Sequence, residues 1–143
     1  MRKIYSFLSF CFIATVSSMI LMVSVVKAQD IKWQSYSSAI FDQAKKEHRL
    51  VLLYGKSEWC HWCQKMNGET WTDTGVQQLI NDHFVPVAVD VTDDAEIANH
   101  FQIKGTPTLV IVGANRQVIK TLYGFEEPYD LVNNLTAVLN LSR

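Results

Sequence analysis

Cys60 and Cys63 bracket His61 and Trp62, with Trp59 in front, and the box comes shortly after the apolar run Leu50 to Tyr54. Two thiols three positions apart, where a strand hands over to a helix, can do thiol–disulfide exchange. The first sulfur then sits at a helix N-terminus, where unpaired backbone N–H groups and the macrodipole favour the thiolate. Cys60, exposed at the helix start, is the expected attacking thiolate. Cys63, one turn further in, is expected to resolve the mixed disulfide by attacking Cys60. A protonated His61 would stabilise the Cys60 thiolate and make the pair more oxidising; the alternative is a solvated imidazole with no such role. Trp62 carries no charge and is expected to shield the sulfur or to offer a partner a flat apolar surface.

The only other cysteine, Cys11, lies in a stretch that reads as a targeting segment. Arg2 and Lys3 precede a long uncharged apolar run from Ile4 to Val26, and Val26-Lys27-Ala28 is a small-residue cleavage pattern. Residues 1–28 are therefore expected to be a signal peptide, with residues 29–143 forming the domain. The apolar run is also long enough to span a bilayer, so an uncleaved anchor is the alternative. A lipoprotein reading centred on Cys11 fits poorly, because Phe10 is too large for the residue before a lipidated cysteine. Either surviving reading places the domain outside the cytoplasm. There a lone vicinal pair is suited to exchanging electrons.

Roughly 115 residues remain after the leader, enough for one domain with a real core and too few for two. The formal net charge of −1, with Lys and Arg scattered along the chain, gives no reason to expect nucleic-acid binding. A structural zinc site needs four ligands, and no second cysteine pair supplies them. A Cu(I) carrier using Cys60, Cys63 and His61 is the competing reading from another functional class, since soft thiolates suit that ion. His48, His83 and His100 fall at helix ends or faces and read as surface residues. Trp59 and Trp71 read as packing residues, because large aromatics dominate core burial.

The elements that must position this box alternate between helix and strand. Tyr36, Ile40, Phe41 and Ala44 mark one face of a first helix, with Ser35 as its N-cap. Leu50 to Tyr54 is a continuous apolar run, as expected of a strand buried on both faces. The cysteine helix breaks near Asn67-Gly68, and Asp73 can cap another helix with Val76, Leu79 and Ile80 inward. Phe84 to Val91 reads as a strand. Pro86 within it cannot donate to a ladder, so this strand belongs at or near a sheet edge, touched only by a short strand at Ile31 to Trp33. Asp93-x-x-Glu96 has the form of a capping box opening a helix with Ile97 and Phe101 inward, and Gly105 marks the exit. Thr108 to Val112 and Gln117 to Tyr123 have the spacing of an antiparallel hairpin across Gly113-Ala114-Asn115-Arg116. Pro128 opens a last helix with Leu131, Val132, Leu135, Val138 and Leu139 inward. This order predicts an α/β domain with a central mixed sheet and helices on both faces.

From about Trp33 to Leu139 the chain resembles a thioredoxin-fold protein. Three features carry the resemblance: Trp59-Cys60-His61-Trp62-Cys63 after the first long strand, Gly105-Thr106-Pro107-Thr108 before the hairpin, and Gly124 after it. It is similar in particular to periplasmic domains such as the C-terminal domain of the transmembrane reductase DsbD, whose cysteine helix continues into an aromatic-bearing turn like Glu69-Thr70-Trp71. The resemblance implies a cis Thr106–Pro107 peptide against the active-site sulfurs and a substrate groove formed by Trp59, the Cys60 region and Thr106-Pro107. It implies a secreted or periplasmic oxidoreductase acting on cysteine pairs of exported proteins, as a reductant more than as an oxidant. No cofactor is needed, because the disulfide is itself the redox centre, and a membrane electron donor of DsbD type would recharge it.

Two departures bear on direction. Thioredoxins carry a buried acid six positions before the first cysteine, where this chain has Tyr54; Lys56 and Glu58 are the nearby charges that could substitute. The residue before the proline is Thr106, as in disulfide isomerases, where cytoplasmic thioredoxins usually carry Ile. Isomerase and oxidase thus stand as alternatives to reductase.

Overall fold

The computed structural model describes residues 29–142; the leader with Cys11 lies outside them. The chain runs β1 (Gln34–Ser35), α1 (Ile40–Glu47), β2 (Leu50–Lys56), α2 (His61–Gly68), α3 (Thr74–His83), β3 (Phe84–Asp90), α4 (Ala95–His100), β4 (Thr108–Val112), β5 (Val118–Tyr123) and α5 (Pro128–Leu141). The five strands form one sheet in the order β1-β3-β2-β4-β5. β1 and β2 run parallel to β3, while β4 is antiparallel to both β2 and β5.

Side chains alternate across a strand, so β2 divides its apolar run between two cores. Leu52 and Tyr54 join Leu109 and Ile111 beneath α2, α3 and α5, whose Cys63, Met66, Val76, Ile80, Leu131 and Leu135 are buried there. Val51 and Leu53 join Val85, Val87 and Val110 beneath α1 and α4, with Ile40, Phe41, Ala44 and Ala98. Helices thus cover both faces. Gly55 is needed for close approach: a Cβ there would fall 2.5 Å from Ile103 Cγ2.

Pro86 sits opposite Leu52 on β2 and outside the two-residue pairing of β1 with Val87 and Ala88. Its missing N–H is therefore tolerated one strand from the edge, as its place in the sequence predicts. The short edge strand itself is Gln34–Ser35, displaced from the expected Ile31 to Trp33. Ile31 and Trp33 instead pack against the core as a strap. The Gln29 carbonyl accepts from Asn81 Nδ2 at 2.7 Å in the last turn of α3 and holds the strap's start.

Three helix boundaries differ from expectation. Ser35 lies in β1 and caps nothing; α1 begins at Ile40 after Ala39, and no side chain caps it. Tyr36 mimicked the helical period because its ring packs edge-on against Phe41, 6.4 Å away, from outside the helix. Asp93-x-x-Glu96 forms no capping box. The N-cap of α4 is Asp94, whose carboxylate turns back to accept the Asp90 N–H at 3.1 Å, so the acid serves the exit of β3. Gly105 is not the helix exit either, since the chain leaves α4 at Phe101 and Gln102, the latter at φ 56°. Asp73 does cap α3, accepting the Val76 N–H at 2.9 Å, and Pro128 takes the first turn of α5.

Candidate active site

Cys60 is the N-cap of α2, placed there by the loop that leaves the C-terminal end of β2. Its extended backbone (φ −82°, ψ 103°) starts the helix, and its Sγ accepts the Cys63 N–H at 3.0 Å. A cysteine sulfur thus takes the part usually played by Ser, Thr or Asp at a helix start. The same geometry delivers one of the free helix-end donors to the sulfur. Cys60 and Cys63 are joined as a disulfide. Cys60 is only 8% exposed and Cys63 3%. The expectation of an exposed Cys60 is therefore corrected in degree: it is the outer of two nearly covered sulfurs, because the loop and α2 close around the bond.

Around the sulfurs the sequence-predicted residues divide. Trp59 is 89% exposed, so its reading as a packing residue is overturned; it protrudes from the loop with no core to fill. Trp71 is buried, as expected. Trp62 is half-exposed and leans on Phe125, with ring centroids 5.8 Å apart, while His61 meets Trp62 edge-on at 5.6 Å. Lys65 lies 3.9 Å above the Phe125 ring and pairs with Glu69 at 2.6 Å. Trp62, Phe125 and Lys65 therefore make an aromatic shelf with a cationic rim beside the disulfide.

The Thr106–Pro107 peptide is cis. The Gly105 carbonyl accepts from the Thr108 hydroxyl at 2.7 Å, and the Pro107 carbonyl accepts the Gly124 N–H at 2.9 Å. Gly124 holds φ +88°, a conformation that suits glycine, and this is why a glycine follows the hairpin. The hydroxyls of Ser57 and Thr106 meet at 3.3 Å and bring this loop onto the one that carries Cys60.

Beneath the disulfide, Tyr54 stands six positions before Cys60, where thioredoxins carry a buried acid. Its hydroxyl points to the Cys63 carbonyl at 3.5 Å, and its ring meets Trp71 and Trp33 at 5.1 and 5.3 Å. Burial pushes the Tyr54 phenol above its ordinary pKa, and the adjacent Trp71 side chain offsets part of that rise. Lys56 does not substitute for an acid, because it pairs with Asp90 at 3.2 Å; Glu58 is exposed. The hydrogen bond from the Thr92 backbone N–H is the first cause holding the Asp90 carboxyl below its usual range, with Lys56 adding to it. Among the described residues no three His, Cys, Asp or Glu side chains gather as a metal site.

Ser57, Phe125 and Lys65 were not singled out in the sequence. Ser57 lies in the loop leading into the cysteine box and Phe125 follows Gly124, so position relative to those motifs was the available signal.

Among solved structures, one described as a DsbH oxidoreductase superposes with a TM-score of 0.73 at 21% identity, covering 85% of this chain and 93% of that one. A thioredoxin from Thermus thermophilus gives 0.68 at 29% identity, over 78% of this chain and 88% of that one. In sequence, the chain is 25% identical over 113 residues to the disulfide bond reductase DsbH of Chlamydia pneumoniae, covering 71% of this chain and 67% of that protein. It is also 35% identical over 60 residues to spermatogenesis-associated protein 20 of Rattus norvegicus, covering 42% of this chain but only 8% of that much longer protein. The family Thioredox_DsbH, described as a protein of unknown function, DUF255, matches residues 13–111. The chain belongs to this family, and it carries on a thioredoxin fold the cysteine pair of a thiol–disulfide oxidoreductase.

Proposed function

We propose that this protein is an extracytoplasmic thiol–disulfide oxidoreductase that reduces disulfides in exported proteins through Cys60 and Cys63. The observation that carries this reading is the Cys63 N–H donated to Cys60 Sγ at the start of α2. In the reduced protein, that donor and the helix end stabilise Cys60 as the thiolate. Cys60 attacks one sulfur of a substrate disulfide, and the other substrate sulfur leaves as a thiolate and is protonated. Cys63, as its thiolate, then attacks Cys60 Sγ, releasing the second substrate thiol and forming the Cys60–Cys63 disulfide. Two electrons have passed to the substrate, and no further cofactor takes part.

Trp59, the Trp62–Phe125 shelf and Thr106-Pro107 form the surface that receives the substrate segment, and His61 modulates the Cys60 thiolate. Direction as a reductase is supported by the likeness to a relative named as a disulfide bond reductase. A spent reductase outside the cytoplasm needs recharging, so a membrane electron donor of DsbD type is its proposed partner. The location outside the cytoplasm rests on the leader pattern of residues 1–28. Among the described residues no helix is long and apolar enough to cross a membrane.

Reduction of insulin disulfides, with Cys60→Ser as control, tests the chemistry; inactivity of the wild type, or undiminished activity of the variant, overturns it. Titration against glutathione tests direction. A potential near −270 mV supports a reductase, and one near −120 mV would make the protein an oxidase.

A further inference from the structure

Tyr54 and Trp71 are two polar groups in the core that the exchange reaction, as described, does not use. Tyr54 is 2% exposed and Trp71 7%, and both belong to the apolar cluster that contains the two cysteines. The Tyr54 hydroxyl approaches the carbonyl of Cys63 at 3.5 Å, long for a hydrogen bond. Trp71 Nε1 is buried and makes no hydrogen bond of good geometry among the described residues, its one polar neighbour being the Tyr54 hydroxyl, whose pKa it lowers. Buried donors are nearly always well paired, and here a poorly paired one backs the side chain that reaches towards Cys63 from the core.

We propose that Tyr54, backed by Trp71, forms an uncharged floor under the resolving cysteine, with Tyr54 the residue that positions Cys63. This rests on the reading of Cys63 as the resolving thiol. In the disulfide form the floor holds the first turn of α2 through the Cys63 carbonyl. In the reduced form Cys63 must become a thiolate in an apolar surrounding, which burial opposes and nearby donors favour. In the resolution step the Cys63 proton goes to solvent, the Cys63–Cys60 bond forms, the Cys60–substrate bond breaks, and the departing sulfur takes up a proton. Tyr54 is not the acceptor for that proton, because burial keeps its phenol protonated to above the ordinary tyrosine range.

The charged groups on the surrounding elements are occupied or remote from the floor. Lys56 is held by Asp90, Lys65 by Glu69, and Asp73 by its capping bond to Val76. Glu126 accepts from Asn134 and Asp30 lies against Gln77. Lys32, Glu58, His61, Asp82, His83, Glu127, Tyr129 and Asp130 are at the surface. Resolution is thus governed by the ionisation of Cys63 itself, with no internal base.

Ellman's reagent separates the two steps. Mixed with the reduced protein in a stopped-flow instrument, it releases one coloured thiolate as Cys60 attacks and a second as Cys63 resolves. The second phase should rise with pH through a single inflection in the wild type. In Tyr54→Phe and in Trp71→Phe it should slow about tenfold at neutral pH, with the inflection moved upward, while the first phase stays within about twofold of wild type. A second inflection at lower pH in the wild type would reveal an internal base and overturn the proposal. So would an unchanged second phase in both variants, or an equal slowing of both phases. A wild type that gives no second phase, or fails to reduce insulin, would instead sink the underlying reading of the cysteine pair.

Discussion

The hydroxyl of Ser57 lies 3.3 Å from the hydroxyl of Thr106, and this contact ties the loop that presents Cys60 to the cis-proline loop ahead of β4. Residues 49 positions apart in the chain are thereby held in register at the place proposed for substrate. Ser57→Ala removes this bond and leaves the cysteine helix intact. A net hydrogen bond contributes about 1 kcal/mol, so kcat/KM for insulin reduction should fall about fivefold. The rate of Cys60 alkylation should not change. Unchanged kcat/KM would show that Thr106 is held by its backbone alone.

Trapping distinguishes the two cysteines. Cys63→Ser should accumulate mixed disulfides with partner proteins through Cys60, since the bond formed in the first step then has no internal thiol to break it. Cys60→Ser should trap few, because the remaining sulfur is 3% exposed. Equal trapping by the two variants in non-reducing gels would reverse the assignment.

His61 stands on the exposed side of α2, edge-on to Trp62. If its positive charge favours the reduced form, His61→Ala should make the potential more negative, by about 30 mV for each tenfold loss in thiolate stability. Solvent screening limits the expected change to that size or less. Glutathione titration of wild type and variant measures it, and equal potentials would leave the helix start as what sets the redox poise.

Asp73 should carry stability without activity. Its carboxylate accepts the Val76 N–H at 2.9 Å at the head of α3, and losing such a cap costs about 1 kcal/mol. Asp73→Ala should lower the urea midpoint accordingly, with insulin reduction per folded molecule unchanged.

Tyr54 makes stability depend on alkaline pH. Its folded pKa lies above the ordinary value, so its contribution is fully present below about pH 10 and is lost as pH rises through the folded pKa, where the unfolded chain has already released its proton. Urea midpoints for the wild type should therefore fall between about pH 9 and 11 more steeply than those of Tyr54→Phe. Parallel slopes would show that the phenol is hydrated in the folded state.

The parts legible in the sequence were those fixed by local periodicity and by chemistry confined to one segment. Leu50 to Tyr54, the Thr108 hairpin and the Pro128 helix carry their burial pattern in consecutive residues, and Pro86 announces the weakly paired flank of β3 by the hydrogen bond it cannot make. The cysteine box and Thr106-Pro107 are likewise contiguous. What stayed hidden depends on approach through space. Asp94 left its own helix to serve Asp90, Tyr36 imitated a helical face from outside it, and the Ser57 and Phe125 contacts exist only once β2, β4, β5 and α2 are assembled. Trp59 misled because its size suggested burial, whereas only the path of the loop decides where it points.

The strap from Gln29 to Trp33 gives the domain a polarity with respect to whatever precedes it. Gln29 is held beside Asn81, at the end of the sheet where β2 and β3 begin, whereas Cys60 lies beyond the end where they finish. A strand of this length spans roughly 20 Å at about 3.3 Å per residue. A surface attached through the leader would therefore meet the domain at the end of the sheet opposite the sulfurs. Partners reaching into the open compartment would find the disulfide first, and a donor embedded in that same surface would need an extended arm or a mobile domain of its own to reach it.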